Sequence, residues 1–173
     1  MTLRPNHIFV IGGARSGKSG FAQSLAVGSG LAPTYLTTAT AGDGEMARRI
    51  ALHRAGRDAR WTTAEEPLDL VAALAREAKV GRIVLVDCLT LWLSNVMFAG
   101  RDPTGEGTRL AQALPTLAGP MIFVSNEVGG GIVPDNKLAR DFRDAQGRLN
   151  QSMAAACGEA FLVVAGLPLR LKG

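Results

Sequence analysis

HIFVIGGARSGKS, His7 to Ser19, decides how this chain is built. The apolar run His7–Ile11 predicts a buried strand, and it delivers the chain into Gly12-Gly13-Ala14-Arg15-Ser16-Gly17-Lys18-Ser19. Those eight residues match the phosphate-loop spacing GxxxxGK[ST] in full, between a strand and the start of a helix, where the mechanism needs them. Glycines let the backbone turn tightly enough for successive N–H groups to point inward at phosphate oxygens. The helix that follows adds the positive end of its dipole. In such a loop Lys18 reaches the outer phosphates and Ser19 ligates Mg²⁺. The motif therefore predicts a binding site for a nucleoside triphosphate.

Outward from the loop, short apolar runs alternate with helical stretches. Thr34–Thr38, Arg82–Asp87, Met121–Ser125 and Ala160–Ala165 predict further strands. Their runs are continuous rather than alternating, as in strands covered on both faces of a parallel sheet. Lys18–Val27, Glu45–Ala55, Leu68–Lys79, Leu89–Phe98 and Asn136–Ala156 predict the intervening helices. Repeated βα order gives a three-layer α/β fold with a mostly parallel central sheet, a P-loop NTPase architecture. No linker or repeat divides the chain, so residues 1–173 are expected to form one catalytic domain. Ala99–Thr108, rich in Gly, Pro and charge, reads as a surface loop. Asp87 closes the run Ile83–Val86, and an acidic residue ending a neighbouring strand is the expected metal-holding partner of Ser19.

Composition bounds the function. At 173 residues, 47% hydrophobic and 20% charged, the chain can bury a core without staples. Its net charge of +4 comes mainly from Arg (15 Arg against 4 Lys), the residue suited to forked contacts with phosphate. A nucleic-acid surface is not expected: only 5% of residues are aromatic, and none cluster beside a basic run. No apolar stretch approaches the roughly 20 residues of a membrane helix. Cys88 and Cys157 have no metal or redox spacing, and no leader is recognisable, which points to reduced thiols and a cytoplasmic protein.

Two further segments carry chemistry. His53 lies in MARRIALHRAGR, Met46–Arg57, with five arginines between Arg48 and Arg60. Spacing alone leaves a half-buried structural histidine and a phosphate-directed nucleophile both open; neighbouring positive charge would keep the imidazole neutral and its lone pair available. Ser125–Pro134 (SNEVGGGIVP) follows a strand at the same sheet edge as the phosphate loop, where open α/β sheets bind ligands. The arginines of Asn136–Ala156 read as a solvated helix face.

Five segments taken in order resemble a known family: GGARSGKS at Gly12–Ser19, EMARRI…H…GR at Glu45–Arg57, WTTAEEP at Trp61–Pro67, VDCLTLWLSN at Val86–Asn95, and SNEVGGGIVPDNKLARDFRDAQGRLNQ at Ser125–Gln151. The chain is similar over nearly its whole length to the bifunctional adenosylcobinamide kinase/adenosylcobinamide-phosphate guanylyltransferases of cobalamin biosynthesis. That resemblance implies phosphorylation of adenosylcobinamide by ATP or GTP, then transfer of GMP from GTP to adenosylcobinamide phosphate, giving adenosylcobinamide-GDP. It implies a guanylyl-histidine intermediate on His53, with Lys18 as the other catalytic residue. Nucleotide contacts carry over to Gly12, Gly13, Ala14, Arg15, Ser16, Gly17, Lys18 and Ser19. They also carry over to Thr37, Thr38 and Ala39, to Arg54, Ala55, Gly56 and Arg57, and to Glu65 and Asp87, with Mg²⁺ on Ser19 and Asp87. It also implies a homotrimer. Leu52 stands where some relatives have a second histidine, and Ala99–Thr108 is shorter than in some of them. The alternative is a P-loop small-molecule kinase without the guanylyltransferase step.

Overall fold

The computed structural model describes residues 6–39 and 59–173. In chain order the elements are β1 (Ile8–Gly12), α1 (Lys18–Gly28), β2 (Ala32–Thr37), β3 (Thr62–Glu65), α2 (Leu70–Glu77), β4 (Arg82–Asp87), α3 (Leu89–Phe98), α4 (Pro103–Ala113), a 3₁₀ turn (Leu114–Thr116), β5 (Met121–Asn126), α5 (Lys137–Ala156), β6 (Glu159–Val164) and β7 (Leu167–Lys172). The strands form one sheet in the order β3-β2-β4-β5-β1-β6-β7. All pairs are parallel except β6 with β7.

The continuous apolar runs are explained by cover on both faces. In β4, Val84 and Val86 join a large core with Phe9, Ile11, Leu36 and Phe123, under α2 to α5. Ile83 and Leu85 of the same strand turn the other way, to Val10, Ile122 and Val124 beneath Ala22 and Ala26 of α1. Trp92 of α3 is fully buried and still satisfies its indole, which donates to the Leu68 carbonyl at 2.9 Å. His7, buried just before β1, has a ring nitrogen 3.0 Å from the Leu114 carbonyl, and burial lowers its pKa.

Four sequence expectations need amendment. Ala99–Thr108 is not simply a loop: α4 starts at Pro103, with the Asp102 side chain accepting from the N–H groups of Thr104 and Gly105. Pro103 costs nothing at a position whose N–H has no helical partner. The strand ending in Asp87 is not adjacent to the phosphate-loop strand, because β5 lies between them. β3 and β7 join the sheet although neither was expected as a strand. The helix read over Leu68–Lys79 is the shorter Leu70–Glu77. The helix expected at Glu45–Ala55 lies outside the described residues. No helix among them is long and apolar enough to cross a membrane.

Candidate functional site

β1 ends at Gly12, and the phosphate loop runs from there into α1. Glycine is required at two points of it. A Cβ on Gly12 would stand 2.5 Å from the Val163 carbonyl oxygen, and 2.6 Å from Ser16 Oγ. Gly17 has φ +95° at the helix N-cap, and a Cβ there would also press on Gly166. The β6–β7 turn holds the loop from behind: Gly166 N–H donates to the Ser16 carbonyl at 2.8 Å. Lys18 is buried with its ammonium on the Gly13 carbonyl at 3.0 Å, inside the arc of the loop. Ser16 Oγ is buried without a hydrogen-bond partner. A buried orphan hydroxyl is costly unless something else uses it, and a phosphate oxygen in the loop would.

Along the same edge, strand register sets three predicted residues in a row, with Thr37 of β2 between Glu65 of β3 and Asp87 of β4. The Tyr35 hydroxyl donates to Asp87 Oδ2 at 2.6 Å, fixing the carboxylate. Thr38 is tied to the strand beside it. Its hydroxyl donates to the Cys88 carbonyl at 2.7 Å and accepts the Cys88 N–H at 3.1 Å. Asn95 of α3 then donates to the carbonyls of Thr38 and Pro67, at 2.8 and 3.1 Å. Ala39 N–H donates to Thr37 Oγ1 at 3.3 Å. No cluster of three or more metal-binding side chains occurs among the described residues. Asp87 and Ser19 offer one carboxylate and one hydroxyl, an oxygen set that suits Mg²⁺, which keeps waters and takes its other ligands from nucleotide phosphates.

β5, between β1 and β4, ends in Ser125 and Asn126, and buried polar groups hold that end. Ser125 Oγ donates to Asn150 Oδ1 at 2.7 Å, and Gln146 Nε2 donates to both at 2.9 Å. Asn150 Nδ2 donates to the Asn126 carbonyl at 3.1 Å, while Thr90 Oγ1 accepts the Asn126 N–H at 2.9 Å. Glu127 N–H donates to the Gly12 carbonyl at 3.0 Å, stitching the glycine-rich segment to the mouth of the phosphate loop. Such a network defines the geometry of the edge far better than an apolar core would, because each unmade bond is penalised.

Tyr35, Thr90, Asn95, Gln146 and Asn150 were not identified from the sequence. Gln146 and Asn150 did carry a signal: at helical spacing they share the face of Leu149 and Met153, where a polar pair must have a partner. Both cysteines are neutral thiols. Burial, helped by the Asp87 charge, pushes Cys88 up; burial takes Cys157 to about 12. The expected nucleophile His53 and the expected contacts Arg54, Ala55, Gly56 and Arg57 lie outside the described residues.

Comparison with known proteins gives the family and the fold. A family model described as cobinamide kinase / cobinamide phosphate guanyltransferase matches residues 8–171. The bifunctional adenosylcobalamin biosynthesis protein CobP of Pseudomonas aeruginosa is 53% identical over 167 residues, covering 95% of this chain and 96% of that protein. CobU of Escherichia coli, of the same description, is 38% identical over 180 residues, covering 95% and 99%. Among solved structures, the type III secretion ATPase EscN of enteropathogenic E. coli aligns with TM-score 0.59 at 10% identity, over 93% of this chain and 43% of that one. The P4 protein of bacteriophage phi6, solved with ADP, aligns with TM-score 0.51 at 13% identity, over 95% and 54%. At such identities these two likenesses speak for the fold, a P-loop NTPase sheet.

Proposed function

This chain belongs to the cobinamide kinase / cobinamide phosphate guanyltransferase family, and from that premise we propose that it phosphorylates adenosylcobinamide and then guanylylates the product. The observation that carries the reading is the sheet edge itself, where an intact phosphate loop, Asp87 and a braced glycine-rich segment converge.

In the first step the acceptor's hydroxyl oxygen attacks the γ-phosphorus of ATP or GTP. The β–γ bridging P–O bond breaks, the nucleoside diphosphate leaves, and the hydroxyl proton passes to solvent. Lys18 leaves the Gly13 carbonyl for the outer phosphates, and the N–H groups of Gly13–Ser19 hold them. Ser19 and Asp87 would hold Mg²⁺, which supplies neutralisation of phosphate charge when bound. In the second step a ring nitrogen of His53 attacks the α-phosphorus of GTP and pyrophosphate departs. A phosphate oxygen of the acceptor then displaces the imidazole, forming adenosylcobinamide-GDP and freeing His53. The covalent intermediate lets two bulky anions use one site in turn. Arg54 and Arg57 would neutralise charge on the α-phosphate and the departing pyrophosphate. Thr37, Thr38, Ala39 and Glu65 complete the nucleotide contacts. The protein works as a cytoplasmic homotrimer, with residues 1–173 as one catalytic domain.

Two labels test the reading. With γ-labelled GTP, label should enter adenosylcobinamide phosphate; with α-labelled GTP it should enter adenosylcobinamide-GDP. Incorporation of γ-label alone would leave a small-molecule kinase and remove the transferase step.

A further inference from the structure

An apolar groove stands beyond the sheet edge that carries the phosphate loop. It encloses about 310 Å³ between the end of α3 and the start of α5, lined by Ser94, Met97, Phe98, Asn136, Leu138 and Phe142 among others. We propose that this groove receives the corrin ring of the acceptor, a reading that rests on the function above and assigns the ring a place.

Three observations carry it. The first is the continuity of α5. Leu138, Phe142, Gln146 and Asn150 recur every fourth residue and so form one stripe of the helix. The lower half of that stripe binds the end of β5. The upper half lines the groove, roughly 6 to 12 Å further out at 1.5 Å per residue. The second is the loop between them. It begins where Glu127 N–H meets the Gly12 carbonyl and ends at Asn136 on the groove wall. On the way it exposes Ile132 at 97% and Val133 at 61%. α3 makes a parallel link, since Asn95, which ties down Thr38, sits beside the lining residue Ser94. The third is chemistry. Phe98 and Leu138 are exposed at 79% and 57%, and no lining side chain is charged. Such a wall has nothing for a triphosphate but suits a large ring with apolar edges and a fringe of neutral amides, for which Ser94 and Asn136 supply polar partners. The ring would sit outside the phosphate cradle while its hydroxyl-bearing arm reaches in along the glycine-rich segment.

The test uses Phe98→Ser and Leu138→Ser, whose exposure makes both compatible with folding. Equilibrium dialysis with adenosylcobinamide should show binding at least about tenfold weaker in each, and the acceptor KM should rise to match, with kcat and the GTP KM within about twofold. The ring-free acceptor 1-amino-2-propanol should not distinguish the variants from the parent. Unchanged affinity for adenosylcobinamide would overturn the groove assignment. So would a smaller solution mass in the variants, because the groove would then be a seam between copies of the chain. A parent that binds adenosylcobinamide through these residues without phosphorylating it would leave the groove standing and overturn the reaction instead.

Discussion

Two rims of the same sheet invert the usual rule of burial in opposite directions. At the phosphate-loop edge polar side chains are inside: Ser16, Lys18, Thr37, Thr38, Thr90, Ser125, Gln146 and Asn150 are all buried. At the β6–β7 hairpin apolar ones are outside: Val164, Leu167, Leu169 and Leu171 are each more than half exposed. Burying eight polar groups is expensive unless each has a partner or meets something that arrives. Ser125, Gln146 and Asn150 bond to one another, Lys18, Thr37, Thr38 and Thr90 bond to backbone groups, and Ser16 Oγ is left for what arrives. That cost is the mark of a site whose geometry matters. The exposed leucines carry no such mark, because scattered apolar exposure on an edge strand is common and needs no ligand to explain it.

From this contrast, substitutions at the first rim should change chemistry and those at the second should change little. The largest effect is expected for Lys18→Ala, which removes one preorganised charge from the phosphate cradle and should lower kinase turnover at least ~100-fold. Near-normal turnover would dissociate Gly12–Ser19 from the reaction. Asp87→Asn comes next. It keeps the Tyr35 contact sterically possible but removes the charge, so both activities should fall and the Mg²⁺ concentration for half-maximal rate should rise; overlaying Mg²⁺ titrations would remove Asp87 from the metal site. Asn150→Ala removes the acceptor of the buried Ser125 hydroxyl and the donor to the Asn126 carbonyl, and should cost about 2 kcal/mol in urea unfolding together with a loss of kcat. If stability falls and kcat does not, the brace serves the fold alone. The smallest effect is expected for Leu169→Lys on β7: within about 0.5 kcal/mol of the parent, with unaltered kinetics.

The same contrast explains what could be read from sequence. The phosphate loop was legible because its chemistry is local: eight consecutive residues make the cradle, and the strand before it has a continuous apolar run. Asp87 was legible as a strand end, but not its position, since the insertion of β5 between β4 and β1 depends on contacts far apart in the chain. α4 was hidden by its own composition. Pro103, Gly105 and Gly107 argue against a helix, yet Pro103 occupies the first turn. Gly107 allows close packing on α5, where a Cβ would come within 3.2 Å of Leu149 Cδ1. β7 gave no signal because it is an edge strand with Pro168 near its start, held by one neighbour rather than by burial. The brace residues were missed for a related reason: a polar residue on an apolar helix face declares that it needs a partner without saying which.

One site is proposed to perform two transfers, the second through His53. Intact mass measurement after incubation with GTP and Mg²⁺, without acceptor, tests it most directly. The chain should gain one GMP mass with stoichiometric pyrophosphate release, as an adduct that is acid-labile and base-stable and that is discharged on adding adenosylcobinamide phosphate. His53→Ala should show no adduct and no adenosylcobinamide-GDP while retaining kinase activity. An adduct that persists in His53→Ala, or guanylyl transfer at the parent rate in that variant, would contradict it.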